Sequence, residues 1–149
     1  MIKKLVIIGV GLIGGSLGLA LRRTEWAEKI VGVGRSRGNL VRAVELGAID
    51  SFEQSAAQAC SDADLVVIAA SLSGFSSILS SISAALPESC IVTDVGSVKS
   101  TVIKESELLL GQKFPNFVPG HPLAGTEKSG VASAFPTSFE EHKICLLYT

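Results

Sequence analysis

The feature that most constrains this chain is its opening. A short β-branched run, Lys4-Leu-Val-Ile-Ile8, leads straight into Gly9-Val-Gly-Leu-Ile-Gly14 and then into a small-residue stretch from Ser16 to Arg23. The run suits a strand buried on both faces of a parallel sheet. The stretch after the glycines reads as a helix. A GxGxxG pattern is informative when it stands between a strand and a helix, as here. Gly9 permits a tight turn, Gly11 lets a pyrophosphate approach the backbone, and Gly14 lets the helix pack close to the strand. The helix N-terminus adds unpaired N–H groups and a partial positive charge. The expectation is a dinucleotide site, set against a glycine turn that serves packing alone.

The same segment invites a membrane reading. Lys3-Lys4 precede an uncharged stretch from Leu5 to Leu21, and Gly11-xxx-Gly15 and Gly14-xxx-Gly18 resemble a packing face between membrane helices. The stretch is short for a span, which needs about 20 apolar residues. Arg22-Arg23 stand where a signal peptide would have small residues at its cleavage site. The glycines also divide the run into halves of different character. A globular reading is therefore preferred.

The rest of the chain alternates between the two periods. Ile30 to Val33 reads as a second strand and Asn39 to Leu46 as a helix, with Gly47 in a left-handed cap. Ala56 to Cys60 reads as a short helix and Asp64 to Ala69 as a third clear strand. Ser73 is expected to cap a helix through Phe75, Ile78, Leu79 and Ile82. Ile91 to Asp94 is a fourth strand, and Ser100 to Leu110 a helix followed by Gly111. Alternation of this kind predicts an α/β, doubly wound, mainly parallel sheet with helices on both faces. From Lys113 to Gly130 the chain is dense in proline and glycine and reads as an irregular, functional loop. Lys143 onward is strand-like.

Bulk properties narrow the function. The 149 residues suffice for one domain, hydrophobic residues make up 47% and charged ones 18%, and the net charge is -1. That charge gives no reason to expect nucleic acid or an anionic membrane as partner. Cys60, Cys90 and Cys145 are odd in number and lack a CxxC, so neither a disulfide framework nor a zinc site is expected. They read as small apolar residues in a reducing, cytoplasmic setting.

At the tip of the second strand the sequence is Gly34-Arg35-Ser36-Arg37, without the carboxylate that would bind a ribose 2′-hydroxyl. Arg35 or Arg37 can meet a 2′-phosphate, so NADP is permitted beside NAD; two solvated loop arginines are the alternative. Asp94-Val-Gly-Ser97-Val-Lys99 lies at the carboxyl end of a strand, the edge where such sheets bind ligands. Ser97 is read either as a cap for the next helix or as a partner of chemistry. His121, held between Gly120 and Pro122, is the candidate general base, and Ser97 would orient its ring or bind the same oxygen. His142, among Glu140, Glu141 and Lys143, reads as a solvated surface residue.

Gly9-Val-Gly-Leu-Ile-Gly-Gly-Ser16, Asp94-Val-Gly-Ser-Val-Lys99 and Gly120-His-Pro-Leu-Ala-Gly-Thr-Glu-Lys-Ser-Gly130 together resemble the prephenate dehydrogenase family, across essentially the whole chain. The resemblance implies a Rossmann-type domain over residues 1–149 and NAD or NADP as cofactor. It implies oxidation of a ring alcohol coupled to loss of a ring carboxylate. The product is 4-hydroxyphenylpyruvate from prephenate, or tyrosine from arogenate. It assigns cofactor contacts to Gly9, Gly11, Leu12, Ile13, Gly14, Arg35, Ser36, Ala70, Ser71 and Gly96. It assigns catalysis to His121 with Ser97, and places Thr126 and Glu127 at the substrate pocket. Ser71 departs from a proline usual in the family. The ending Cys145-Leu-Leu-Tyr-Thr149 departs from the usual Leu-Thr-Pro, which suggests a truncated reading frame with a non-native end. The family's helical second domain, which dimerises and supplies an arginine for the substrate carboxylates, is expected to be missing here. The full-length form is expected to be a homodimer. Two other functions stay open: a β-hydroxyacid-type dehydrogenase, against which His121-Pro-Leu-Ala-Gly125 argues, and a non-catalytic dinucleotide-binding module.

Overall fold

A computed structural model describes residues 1–124 and 126–147. Gly125 of the His121 motif and the terminal Tyr148 and Thr149 lie outside the described residues.

Strand β1 (Ile2–Ile8) is the centre of a six-stranded sheet. It is followed by α1 (Leu12–Arg23), β2 (Ala27–Val33), α2 (Arg37–Glu45), β3 (Ser51–Glu53), α3 (Ala56–Cys60) and β4 (Leu65–Ile68). Then come α4 (Leu72–Ile82), β5 (Ile91–Asp94), α5 (Lys99–Leu110) and β6 (Phe117–Val118). The strands lie in the order β3-β2-β1-β4-β5-β6, and every pairing is parallel. The chain thus starts mid-sheet, runs to one edge, and returns past β1 to build the other half. Between β1 and β4 the winding reverses, so the segments that follow these strands run to opposite faces of the sheet and leave a crevice at its carboxyl edge. A separate antiparallel pair, β7 (Gly120–Pro122) and β8 (Ile144–Leu146), stands His121 opposite Cys145.

Alternation along β1 explains why its run is apolar throughout. Leu5 and Ile7 face one core layer with Ile30, Leu40, Ala43, Ile49 and Val131. Val6 and Ile8 face the other with Phe75, Leu79, Ile82, Val92, Val102 and Phe117. Both faces are covered by helices, so none of these four residues has a solvent side. The membrane reading fails for the same reason: α1 is only 12 residues long and packs on the sheet. Among the described residues no helix is long and apolar enough to cross a membrane.

Several local expectations need correction. Helix α1 starts at Leu12, not Ser16, because a glycine-rich first turn looks like a loop in sequence yet is helical. Ser71, not Ser73, is the cap position of α4. Its hydroxyl lies 3.1 Å from that of Ser73, and its side chain makes no cap hydrogen bond. Ser97 does not cap α5, whose cap position is Val98. The stretch after Lys113 is less irregular than expected, since it holds β6 and β7. Gly47 does adopt the left-handed conformation, at φ +74°. Cys60 and Cys90 are buried as expected, whereas Cys145 is exposed.

Candidate active site

The glycine turn separates two duties among its glycines. Gly9 has φ +97°, and a Cβ there would lie 2.6 Å from the Ala69 carbonyl oxygen. A Cβ on Gly14 would lie 2.2 Å from Gly9 O. These two glycines let β1, β4 and α1 close on one another. Gly11 differs, because a Cβ there would meet nothing within 4 Å. Its missing side chain leaves open space on the crevice side. The first turn of α1 carries no acidic residue, so nothing opposes an anion at its N-terminus.

That space belongs to a cleft of about 850 Å³. Gly11, Leu12 and Ile13 form one wall, Ala70 and Ser71 the second, and Gly96 the third. Thr126, Glu127 and Lys128 complete its lining. Eight sequence-predicted residues are thereby brought together: Gly11, Leu12, Ile13, Ala70, Ser71, Gly96, Thr126 and Glu127. A dinucleotide is anionic and elongated, and the open Gly11 face beside an unopposed helix N-terminus fits its pyrophosphate. Arg35 and Ser36 do not line this cleft. Ser36 caps α2, accepting from Asn39 N–H at 3.3 Å, and Arg35 is exposed. Arg37 sits over the Phe52 ring at 5.4 Å. Of the two arginines, Arg35 is therefore the one without an aromatic partner.

His121 is placed at the Gly96 end of the cleft, its Nδ1 lying 3.1 Å from Gly96 O. A carbonyl can only accept, so Nδ1 carries the hydrogen, and in the neutral imidazole the lone pair then sits on Nε2. The tautomer is set by backbone, not by Ser97. Ser97 is exposed, and among the described residues its hydroxyl makes no hydrogen bond to the ring. It stays available for a substrate oxygen. His142 is exposed, as expected.

Asp94 and Lys99, visible in the sequence only as parts of a motif, have a role in the structure. Asp94 is 3% exposed. Its carboxylate accepts from Gly96 N–H at 2.8 Å, from Gly120 N–H at 3.2 Å and from the Lys99 ammonium. Lys99 also donates to Gly120 O at 2.7 Å. One buried ion pair thus fixes both peptides that frame His121: Gly96, which holds its ring, and Gly120, which precedes it. An acid at a strand end five residues before a lysine in a helix's first turn is a visible signal. Its target, Gly120, lies 21 residues further on and is not.

Buried thiols are not competing nucleophiles. Burial pushes Cys60 up to about 12 and Cys90 up to about 11. No cluster of metal-ligating side chains occurs among the described residues.

A parallel sheet in this order, with a glycine turn at its switch point, defines a Rossmann-type nucleotide-binding domain. The family described as "Prephenate dehydrogenase, nucleotide-binding domain" matches residues 17–148, and the chain belongs to it. The prephenate dehydrogenase of Bacillus subtilis is 34% identical over 141 residues, covering 94% of this chain and 38% of that protein. The prephenate dehydrogenase of A. aeolicus, solved with hydroxyphenyl propionate and NAD+, superposes with a TM-score of 0.92 at 37% identity. The match covers 100% of this chain and 51% of that one. Synechocystis arogenate dehydrogenase gives a TM-score of 0.89 at 29% identity, over 99% of this chain and 50% of that one. The chain therefore spans about half the length of these solved relatives, and less of the Bacillus protein.

Proposed function

We propose that this chain is the cofactor-binding part of a dehydrogenase that oxidises prephenate or arogenate with loss of carbon dioxide. The observation that carries the reading is the His121 Nδ1–Gly96 O hydrogen bond of 3.1 Å, which leaves Nε2 as the ring nitrogen available for a proton, beside the cleft that Gly11 and Gly96 line. NAD or NADP would be held by Gly11, Leu12 and Ile13 at the pyrophosphate, with Ala70, Ser71 and Gly96 along its length. When bound, the nicotinamide supplies the hydride acceptor. His121 Nε2 takes the proton of the ring hydroxyl as hydride leaves the carbinol carbon. The ring carboxylate departs as carbon dioxide, and its bonding electrons complete the aromatic ring. Ser97 donates to or accepts from the same oxygen. Asp94 and Lys99 keep His121 in position, and Thr126 and Glu127 border the substrate.

The adenosine end tolerates a 2′-phosphate on this reading, because no carboxylate follows Val33 and Arg35 is exposed. Residues 1–149 act as one dinucleotide-binding domain. The substrate's two carboxylates need cationic or N–H partners when taken from water. After Gly111 the sequence offers only Lys113, Lys128 and Lys143, and Lys113 already donates to Ser83 O and Leu86 O. None of these is an arginine fork that grips a carboxylate bidentately, so that grip is proposed to come from outside this domain. The full-length form is proposed to be a cytoplasmic homodimer acting on a small molecule, with neither nucleic acid nor membrane as partner.

The test is to supply prephenate or arogenate with NAD+ or NADP+ and follow reduced nicotinamide and carbon dioxide. A full-length protein carrying this chain should form both in equal amounts, while the 149 residues alone should bind cofactor and turn over little. Absence of product from the full-length protein with either substrate would overturn the reading, and so would robust turnover by the 149 residues alone.

A further inference from the structure

Thr126 and Glu127 belong to a strap, residues 126–135, whose far end is tied to α1. Val131 is 1% exposed and packs against Gly15, where a Cβ would come within 2.9 Å of it. Phe135 N–H donates to the buried Ser16 hydroxyl at 3.1 Å. Between these contacts and the glycine turn stands one side chain, Asn39, in the first turn of α2. Its Nδ2 donates to Val10 O at 2.7 Å, and its Oδ1 accepts from Val131 N–H at 3.4 Å. The partners are of opposite kind, so the amide has only one orientation that satisfies both.

The Val10 carbonyl belongs to the same planar peptide as Gly11 N–H. Holding the oxygen toward Asn39 turns that N–H to the opposite side. The result is a directed chain of hydrogen bonds: Gly11–Val10 peptide, Asn39 amide, Val131 N–H. Donors and acceptors follow one another in a single sense, and aligned bonds of this sort polarise and strengthen one another. An acceptor drawing on Gly11 N–H makes Val10 O a better acceptor, which in turn makes Asn39 Oδ1 a better one.

We propose that Asn39 is a positioning residue that couples dinucleotide binding at Gly11 to the setting of the 126–135 strap, and so to Thr126 and Glu127. The inference rests on the reading of the cleft as a dinucleotide site. It gives the strap a reason to be ordered by cofactor before substrate arrives.

The experiment is residue-resolved amide hydrogen exchange on the 149-residue chain, with and without saturating NAD+, beside a calorimetric NAD+ titration. In the parent, NAD+ should slow exchange at Val131 by about fivefold or more, the lower end of ordinary coupling between sites. In Asn39→Ala, Val131 should exchange fast and equally with and without NAD+, although NAD+ still binds. Asn39→Asp conserves volume and keeps an acceptor for Val131 but sets a carboxylate oxygen against Val10 O. It should keep Val131 protected in the absence of NAD+ and lose the response. Ser16→Ala should speed exchange at Phe135 and leave the Val131 response in place, which a merely structural role for Asn39 would not separate. NAD+ binding with no change at Val131 in the parent, or a retained response in either Asn39 variant, would overturn the coupling while the cleft reading stands. No NAD+ binding by the parent would overturn both.

Discussion

The glycine turn of residues 9–14 and the later segments 117–124 and 126–135 both contribute to one cleft, yet they are held differently. The turn is fixed by close backbone approach: Gly9 against Ala69 and Gly14 against Gly9, with room for hydrogen and nothing larger. The later segments are held in part by a few side chains acting at a distance. Asp94 and Lys99 hold Gly120, Asn39 holds Val131, and Ser16 holds Phe135. The turn is set mainly by sterics, with one side-chain hydrogen bond, from Asn39 to Val10 O. The later segments combine packing, Val131 against Gly15, with side-chain hydrogen bonds that can be broken singly. A glycine turn fixed by close approach, beside a segment held partly by single hydrogen bonds, suits a fold that carries many chemistries on one dinucleotide scaffold.

The largest expected effect lies in the later segments and concerns rate. His121→Asn in the full-length protein should lower turnover by about a hundredfold to ten-thousandfold, the usual worth of a general base. Cofactor affinity should not change, because Gly96 and not the ring lines the cleft. Steady-state kinetics and calorimetry on the same preparation check both halves. Next comes the turn side and stability. Gly14→Ala should cost about 3 kcal/mol, since backbone at 2.2 Å cannot yield as a side chain can. Thermal unfolding measures it, and a loss much below about 1 kcal/mol would show that the turn is more compliant than described here.

How much of this was legible beforehand divides along the same line. The β1 run, the tight turn at Gly9, the α3 limits Ala56–Cys60 and the β5 limits Ile91–Asp94 could all be read directly, because local pattern and local structure coincide there; the helical turn at Leu12–Gly14 could not. Strand β3 is three partly exposed residues at the sheet edge and β6 is two residues long, too short to show a period of two. The cleft residues were legible as motifs. The Asp94–Lys99 hold on Gly120 and the Asn39 link to Val131 were not, since they join residues 21 to 92 positions apart. Sequence periodicity reports faces of single elements, and these contacts depend on how elements are arranged.

A smaller effect is expected far from the cleft, where the turn-side scaffold depends on pH. Asp50 is partly buried, which opposes ionisation. Hydrogen bonds from Ile30 N–H and the Arg22 guanidinium, with the Arg22 charge, outweigh this and hold its carboxyl below the usual aspartate range. A depressed carboxylate stabilises the fold above its unfolded-state value and loses that contribution as pH falls through the folded-state value. Asp50→Asn should therefore destabilise the chain at neutral pH, and the gap to the parent should close as pH drops below about 3.8. Denaturant unfolding across that range checks the slope; a gap that widens in acid would contradict it.

The central claim is that Gly11 is bare for a ligand while its neighbours are bare for packing. Calorimetric titration of NAD+ into the parent and Gly11→Val, with thermal unfolding of both, tests it most directly. A side chain at Gly11 meets no atom within 4 Å, so the variant should unfold within a few degrees of the parent. Its NAD+ affinity should nevertheless fall at least tenfold, about 1.4 kcal/mol. Equal affinities in two equally stable proteins would contradict the account.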